Sequence, residues 1–93
     1  MTSFYVICFD IRDDRRLIKT SNTLENFGKR VQRSVFECYL DDAELARLKK
    51  RIEELIDVEE DSVRYYSLCP RDVEKIIVDG PGDVLRDYDY LVY

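Results

Sequence analysis

Asp10 is the one charged side chain in a short apolar run near the start of the chain, residues 4–11, with the sequence FYVICFDI. The β-branched and aromatic residues of this run predict a buried strand. A carboxylate at the rim of a buried sheet can be a metal ligand or a catalytic group. The alternative is an acid that only begins the turn toward the next helix, and the pattern leaves both interpretations open.

The chain contains no histidine. This excludes histidine acid–base catalysis, serine–histidine–aspartate arrangements and imidazole metal ligands. Any chemistry must therefore come from carboxylates, arginine, lysine, tyrosine or serine.

Basic side chains are concentrated near the predicted strand ends. The net charge is −5, but residues 1–51 carry +3 and the remainder −8. Because arginine forks match phosphate oxygens, this cluster suits a polyanion. The alternative is that these cations pair with Asp13, Asp14 and Glu25 on a solvated helix. The residues concerned are Arg12, Arg15, Arg16, Lys29, Arg30 and Arg33.

The cysteines Cys8, Cys38 and Cys69 are odd in number and have no paired spacing. They are expected to be reduced core residues, which is typical of the reducing cytosol. No run approaches the ~18 apolar residues of a membrane-spanning helix. The sequence therefore predicts a soluble, cytoplasmic protein with no membrane partner.

The predicted first strand is apolar on both faces, so it needs cover on both sides. In a chain of 93 residues, its own helices can cover one face and a second copy of the chain the other. We expect the face with Tyr5, Ile7 and Phe9 to form this dimer contact, because it would otherwise expose a large apolar patch. The residues that point the other way are Phe4, Val6 and Cys8.

A helix is predicted over residues 15–27, capped by Asp13 or Asp14 and ended by Gly28. The elements expected after it are strands over residues 30–32 and 34–40, a helix that begins at a capping box on Asp41, and a strand over residues 62–68. This order predicts an α+β, ferredoxin-like domain over residues 1–69. A tail of residues 70–93 follows and contains a further apolar run, Val73–Val78.

Three stretches together resemble the Cas-two family of small CRISPR-associated proteins. They are residues 5–16 (YVICFDIRDDRR), 28–38 (GKRVQRSVFEC) and 61–69 (DSVRYYSLC). The resemblance implies a homodimer of ferredoxin-like domains, with one Mg²⁺ held between the Asp10 carboxylates of the two copies. It also implies that Val73–Val78 adds an extra strand to the partner subunit.

The resemblance further implies a function and its residues. By motif match, the residues important for cleavage are Asp10, Arg16, Arg30 and Phe36. The residues expected to bind nucleic acid are Arg12, Arg15, Arg16, Arg30 and Arg33. The implied activity is a metal-dependent endonuclease on RNA or DNA, acting in antiviral defence and spacer acquisition. The alternative is a non-catalytic dimeric adaptor that bridges integrase dimers and holds duplex DNA.

Overall fold

The structure, a computed structural model, describes residues 2–80. Its elements are β1 (Ser3–Asp10), α1 (Asp14–Glu25), β2 (Gly28–Gln32), β3 (Val35–Leu40), α2 (Asp42–Leu55), β4 (Ser62–Leu68) and α3 (Pro70–Glu74). The strands form one antiparallel sheet in the order β2-β3-β1-β4. This topology confirms the predicted α+β, ferredoxin-like fold.

The first strand is central in the sheet, and its two faces have different cover. Ile7 and Phe9 are buried in one cluster with Leu24 of α1 and Leu48 of α2, and Tyr5 packs at its edge. The expectation that this face meets a second copy is therefore wrong, because the chain's own helices cover it. Strict alternation determines which residues share a face of a strand, but it does not determine which face the helices cover.

Within residues 2–80, the other face of the sheet is covered at one end. Phe4 is buried there against Val73 of α3, and Leu68 and Ile76 pack around the pair. Toward the other end of β1 on this face, Val6 and Cys8 are only half-buried. In the part of the chain that the structure describes, apolar surface is left open on this second face and not on the face predicted from the sequence.

The described part of the tail, residues 70–80, contains α3 and no strand, and Val73 lies in that helix. That Val73–Val78 adds a strand to a partner subunit stays a prediction. Pro70 begins this helix, where its fixed φ favours a helical start. The amides of Asp72 and Val73 donate to the Cys69 carbonyl and close the first turn. Residues 81–93 of the predicted tail lie outside the described residues.

The two long helices begin where the sequence predicts. The Asp13 carboxylate accepts a 3.0 Å hydrogen bond from the Arg16 amide and caps α1. At α2, Asp41 and Glu44 form the reciprocal capping box, with bonds of 2.7 and 3.0 Å. No helix within residues 2–80 is both long and apolar enough to cross a membrane.

Gly28 does not end α1, as the sequence suggested. The helix ends at Glu25, and Gly28 is the first residue of β2, paired with Cys38 of β3. A β-carbon at this position would collide with the Glu37 carbonyl oxygen and the Cys38 sulfur. The glycine is therefore needed for close approach of β2 to β3.

The cysteines are free in this structure. Cys38 is fully buried, and burial raises the pKa of its thiol to about 12. Cys8 is half-buried and Cys69 is exposed. The prediction that all of them are core residues is therefore wrong for Cys69, which lies just beyond the end of β4.

Candidate active site

Asp10 is the last residue of β1, and its side chain is exposed. It borders a small hollow of about 210 Å³, which is also lined by Asp14, Arg33 and Ser34. The amide of Phe9 donates a 3.0 Å hydrogen bond to the Ser34 carbonyl, which holds the turn between β2 and β3 beside the end of β1. The fold thus brings Asp10 and one of the predicted arginines to the same place.

A second hollow, of about 270 Å³, lies between α1 and the turn that follows β2. Arg30 and Arg33 line it together with Asn22, Glu25 and the apolar Leu17 and Ile18. Arg33 borders both hollows. Two guanidinium groups beside one carboxylate make this edge mainly basic. The guanidinium groups can contact phosphate oxygens.

Phe36 lies wholly inside the core, with 0% of its surface exposed. It packs near Phe9, with ring centroids 6.0 Å apart. A side chain buried to this degree does not touch a substrate in the folded chain. Any effect of Phe36 on cleavage must therefore pass through the strands that it holds together.

Arg16 is turned away from both hollows and is bound by acids. Its Nε lies 2.8 Å from Asp61 Oδ2, and its Nη2 lies 3.3 Å from Glu60 Oε2. The hydrogen bond from Arg16 is the main reason that the pKa of Asp61 lies well below its usual range, and the same contact raises the pKa of Arg16. Arg16 therefore does not line the hollows with Arg30 and Arg33. Its ion pairs are with the acids before β4 and not with those of its own helix.

Asp61 is the residue of this region that the sequence did not single out. It appeared there only as the first residue of the stretch 61–69, yet its side chain is completely buried. A buried carboxylate needs partners for its oxygens. The sequence shows only that Asp61 lies directly before a predicted strand and that an arginine-rich turn follows another strand. These positions do not identify Arg16 as the partner of Asp61.

Arg12 and Arg15 are both exposed. Arg12 follows Asp10 by two residues and Arg15 lies in the first turn of α1. Of the five arginines predicted to bind nucleic acid, the structure leaves Arg12, Arg15, Arg30 and Arg33 exposed to solvent and holds Arg16 in an ion pair.

The donor set at Asp10 suits a hard cation. Asp10, Asp14 and Ser34 supply oxygen atoms around one hollow, and Mg²⁺ prefers oxygen ligands. No group of three or more histidine, cysteine, aspartate or glutamate side chains that could hold a metal occurs within residues 2–80. Since Mg²⁺ commonly takes one or two carboxylates and completes its shell with water and phosphate, these residues fit a partial site.

The fold and this edge define a class: a small ferredoxin-like domain with an exposed carboxylate at the end of its first strand and arginines beside it. The family model described as CRISPR associated protein Cas2 matches residues 1–76. This chain belongs to that family, which confirms the resemblance found in its sequence.

Individual relatives match over most of their length. The CRISPR-associated endonuclease Cas2 2 of Thermus thermophilus is 42% identical over 87 residues, 94% of each chain. The CRISPR-associated endoribonuclease Cas2 3 of Synechocystis is 41% identical over 88 residues, 87% of this chain and 96% of the relative. A chain of the solved partial Cas6-RT-Cas1–Cas2 complex is 34% identical, with a TM-score of 0.72 over 82% of this chain and 89% of its own length.

Proposed function

We propose that this protein is a Mg²⁺-dependent endonuclease that cleaves phosphodiester bonds in RNA or DNA, acting in the cytoplasm in CRISPR antiviral defence. The observation that carries the proposal is the exposed Asp10 carboxylate, which shares a hollow with Arg33. The names of the Thermus and Synechocystis relatives support the same activity. The name endoribonuclease specifies RNA and the name endonuclease specifies no nucleic acid, so both RNA and DNA remain within the proposal.

The roles of the residues follow from their positions. Asp10 would hold the Mg²⁺, with Asp14 as the second carboxylate of the same hollow. Such an ion polarises a phosphoryl oxygen and lowers the pKa of bound water. Arg30 and Arg33 hold the phosphates of the substrate along the edge between α1 and β2, where their guanidinium groups reach solvent.

A homodimer completes this arrangement. Within residues 2–80, a single chain offers Asp10 and Asp14 as the carboxylates of this hollow, and a second copy related by a two-fold axis brings a second Asp10. The open sheet face supplies the contact: Val6 and Cys8 are half-buried in one chain and Tyr66 is 48% exposed. Covering this apolar surface stabilises the pair.

A second function is favoured by the match to a chain of the solved partial Cas6-RT-Cas1–Cas2 complex. In this alternative the protein is a non-catalytic dimeric adaptor that bridges integrase dimers. It then holds duplex DNA through phosphate contacts by its exposed arginines, among them Arg12 and Arg15, and these contacts are independent of sequence.

Cleavage by highly purified protein with Mg²⁺ separates the two functions. Asp10→Asn should lose cleavage of RNA and duplex DNA, because a neutral amide is a poor Mg²⁺ ligand. Asp42→Asn is the matched control, since Asp42 is an exposed acid at the opposite end of the sheet, beyond the Ser3–Leu40 pair. Absence of cleavage by the wild type contradicts the endonuclease proposal and leaves the adaptor, whereas cleavage that persists in Asp10→Asn contradicts the role of Asp10.

Metal binding has its own measurement. Mg²⁺ should raise the melting temperature of the wild type and of Asp42→Asn but not that of Asp10→Asn, because a ligand stabilises the folded state that binds it. Equal shifts in all three proteins would place the metal elsewhere, whatever the cleavage assay shows.

A further inference from the structure

The Asp61 carboxylate joins three segments of the chain. Oδ1 accepts hydrogen bonds from the Arg12 amide at 3.0 Å and from Arg16 Nη2 at 3.2 Å. Oδ2 accepts from Arg16 Nε at 2.8 Å and from the Asp57 amide at 2.9 Å. A carboxylate has about four lone-pair sites, so these donors use its full capacity in a buried position.

This carboxylate lies directly beyond the strand pair that ends in Asp10. Asp10 pairs with Ser62 as the last pair of the β1–β4 ladder. Asp61 is the residue before Ser62, and Arg12 follows Asp10 by two residues. The bond between Asp61 and the Arg12 amide therefore ties the two strands together just past Asp10. Strand ends open more easily than strand centres, and this tie opposes that opening.

We propose that Asp61 is a positioning residue for Asp10, and that Arg16 acts in cleavage through Asp61 instead of on the substrate. The inference rests on the proposed endonuclease function. The planar Arg16 fork fixes the orientation of the Asp61 carboxylate, and the carboxylate in turn fixes the path of the chain after Asp10. A displacement of about 1 Å at a reacting centre can cost about 100-fold in rate.

The charge of Asp61 is part of this role. Asparagine has the same shape but offers one oxygen with two lone pairs and an amino group that only donates. In Asp61→Asn the amino group faces Arg16 and one backbone amide in either orientation: the Arg12 amide if it replaces Oδ1, the Asp57 amide if it replaces Oδ2. A buried unpaired donor is costly. Asp61→Asn therefore breaks the Arg16 fork in both orientations and weakens the hold on the end of β1 without removing volume.

The test is steady-state cleavage with Mg²⁺ of whichever substrate, RNA or duplex DNA, the wild type cleaves. Asp61→Asn should lower kcat by about 10- to 100-fold and leave KM within about twofold, because the phosphate-binding arginines are unchanged. Glu60→Gln is the matched control. It removes the negative charge of the exposed partner of Arg16 but leaves the bond between Asp61 and the Arg12 amide intact. Its kcat should therefore equal that of the wild type.

The role of Arg16 is tested by combining variants. If Arg16 acts only through Asp61, the double variant of Arg16→Ala and Asp61→Asn should be no slower than Asp61→Asn alone, since residues that act as a unit are non-additive. Should Asp61→Asn fail to fold, Arg16→Ala carries the test, because it leaves Asp61 with its two backbone donors. A lower kcat with unchanged KM supports the inference, whereas a large rise in KM means that Arg16 contacts the substrate and overturns it.

Hydrogen exchange separates this inference from the proposed function. Amides of residues 9–12 should exchange faster in Asp61→Asn than in Glu60→Gln, because the hold of residue 61 on the Arg12 amide is weakened. If the wild type cleaves nothing, the endonuclease proposal fails. Hydrogen exchange alone then tests whether Asp61 holds the end of β1. Unchanged exchange at residues 9–12, or unchanged kcat in a folded Asp61→Asn protein, overturns the inference.

Discussion

The Arg30 guanidinium lies 5.7 Å from the centre of the Phe36 ring, its cross-strand partner between β2 and β3. The ring is fully buried and the cation is exposed. A cation over an aromatic face is held by the ring quadrupole. Of these two residues, both predicted to act in cleavage, Phe36 contacts the guanidinium from the core and Arg30 is the one that solvent reaches.

Replacement of Arg30 by alanine should weaken binding to unrelated nucleic acid sequences alike, since a phosphate contact carries no sequence information. The log–log dependence of affinity on salt should become shallower by about 1. Fluorescence anisotropy at several salt concentrations measures both. The control is Lys50→Ala on the exposed side of α2, which lines neither hollow; an equal loss there would place the binding surface on α2.

Replacement of Phe36 by alanine should lower the free energy of unfolding by about 3–5 kcal/mol, because it opens a cavity in the core. Any loss of cleavage should then follow the fraction of unfolded protein, as measured by urea denaturation and activity on the same samples. Lost activity in a variant of unchanged stability would instead mean that the ring acts directly on the substrate.

A charge introduced on the open sheet face should break the proposed dimer. Tyr66→Asp should give monomers in light scattering, because it places a carboxylate in the apolar contact around Val6. Ile18→Asp is the matched control: Ile18 is 58% exposed on α1, away from that face, so its dimer should be unchanged. Monomers from Ile18→Asp and not from Tyr66→Asp would move the interface to the helices.

Gly28→Ala should destabilise the protein by about 1–3 kcal/mol through overpacking, because its β-carbon meets the Glu37 carbonyl oxygen and the Cys38 sulfur. Adding Cys38→Ala removes the sulfur but not the carbonyl oxygen, so it should relieve the collision only in part. Thermal melts of the single and double variants measure this. A neutral Gly28→Ala would mean that β2 moves away from β3 at little cost.

Stability should depend on pH through Asp61. Its pKa is held low by Arg16 and by the Asp57 and Arg12 amides, so the stabilisation is complete above the ordinary aspartate pKa of about 3.9 and is lost as pH falls below it. The melting temperature of Asp61→Asn should lie below that of the wild type at neutral pH, and the gap should narrow below about pH 4. Glu60→Gln, at an exposed site, should differ little from the wild type in melting temperature at every pH. If the difference between the wild type and Asp61→Asn does not narrow in acid, the Asp61 charge is not its cause.

Local sequence determined much of the fold. Asp41 and Glu44 begin α2 as predicted, and Ser62–Leu68 forms β4 within the predicted limits. Caps and strand patterns are recognisable because their interactions lie within a few residues along the chain. Gly28 shows the limit of local sequence. Its role depends on its contact with Cys38 on the neighbouring strand, which no local pattern contains.

The arrangement of the site was decided by tertiary structure. The sequence by itself determined that Asp10 ends a buried strand and that arginines follow it, since these features are contiguous. That Tyr5, Ile7 and Phe9 face the helices depended on how the whole sheet packs. That Arg16 binds Asp61, 45 residues away in sequence, depended on β4 lying beside β1. An ion pair that buries the Asp61 carboxylate between distant segments exists only after the strands have met, because only then is that charge removed from water beside its partner.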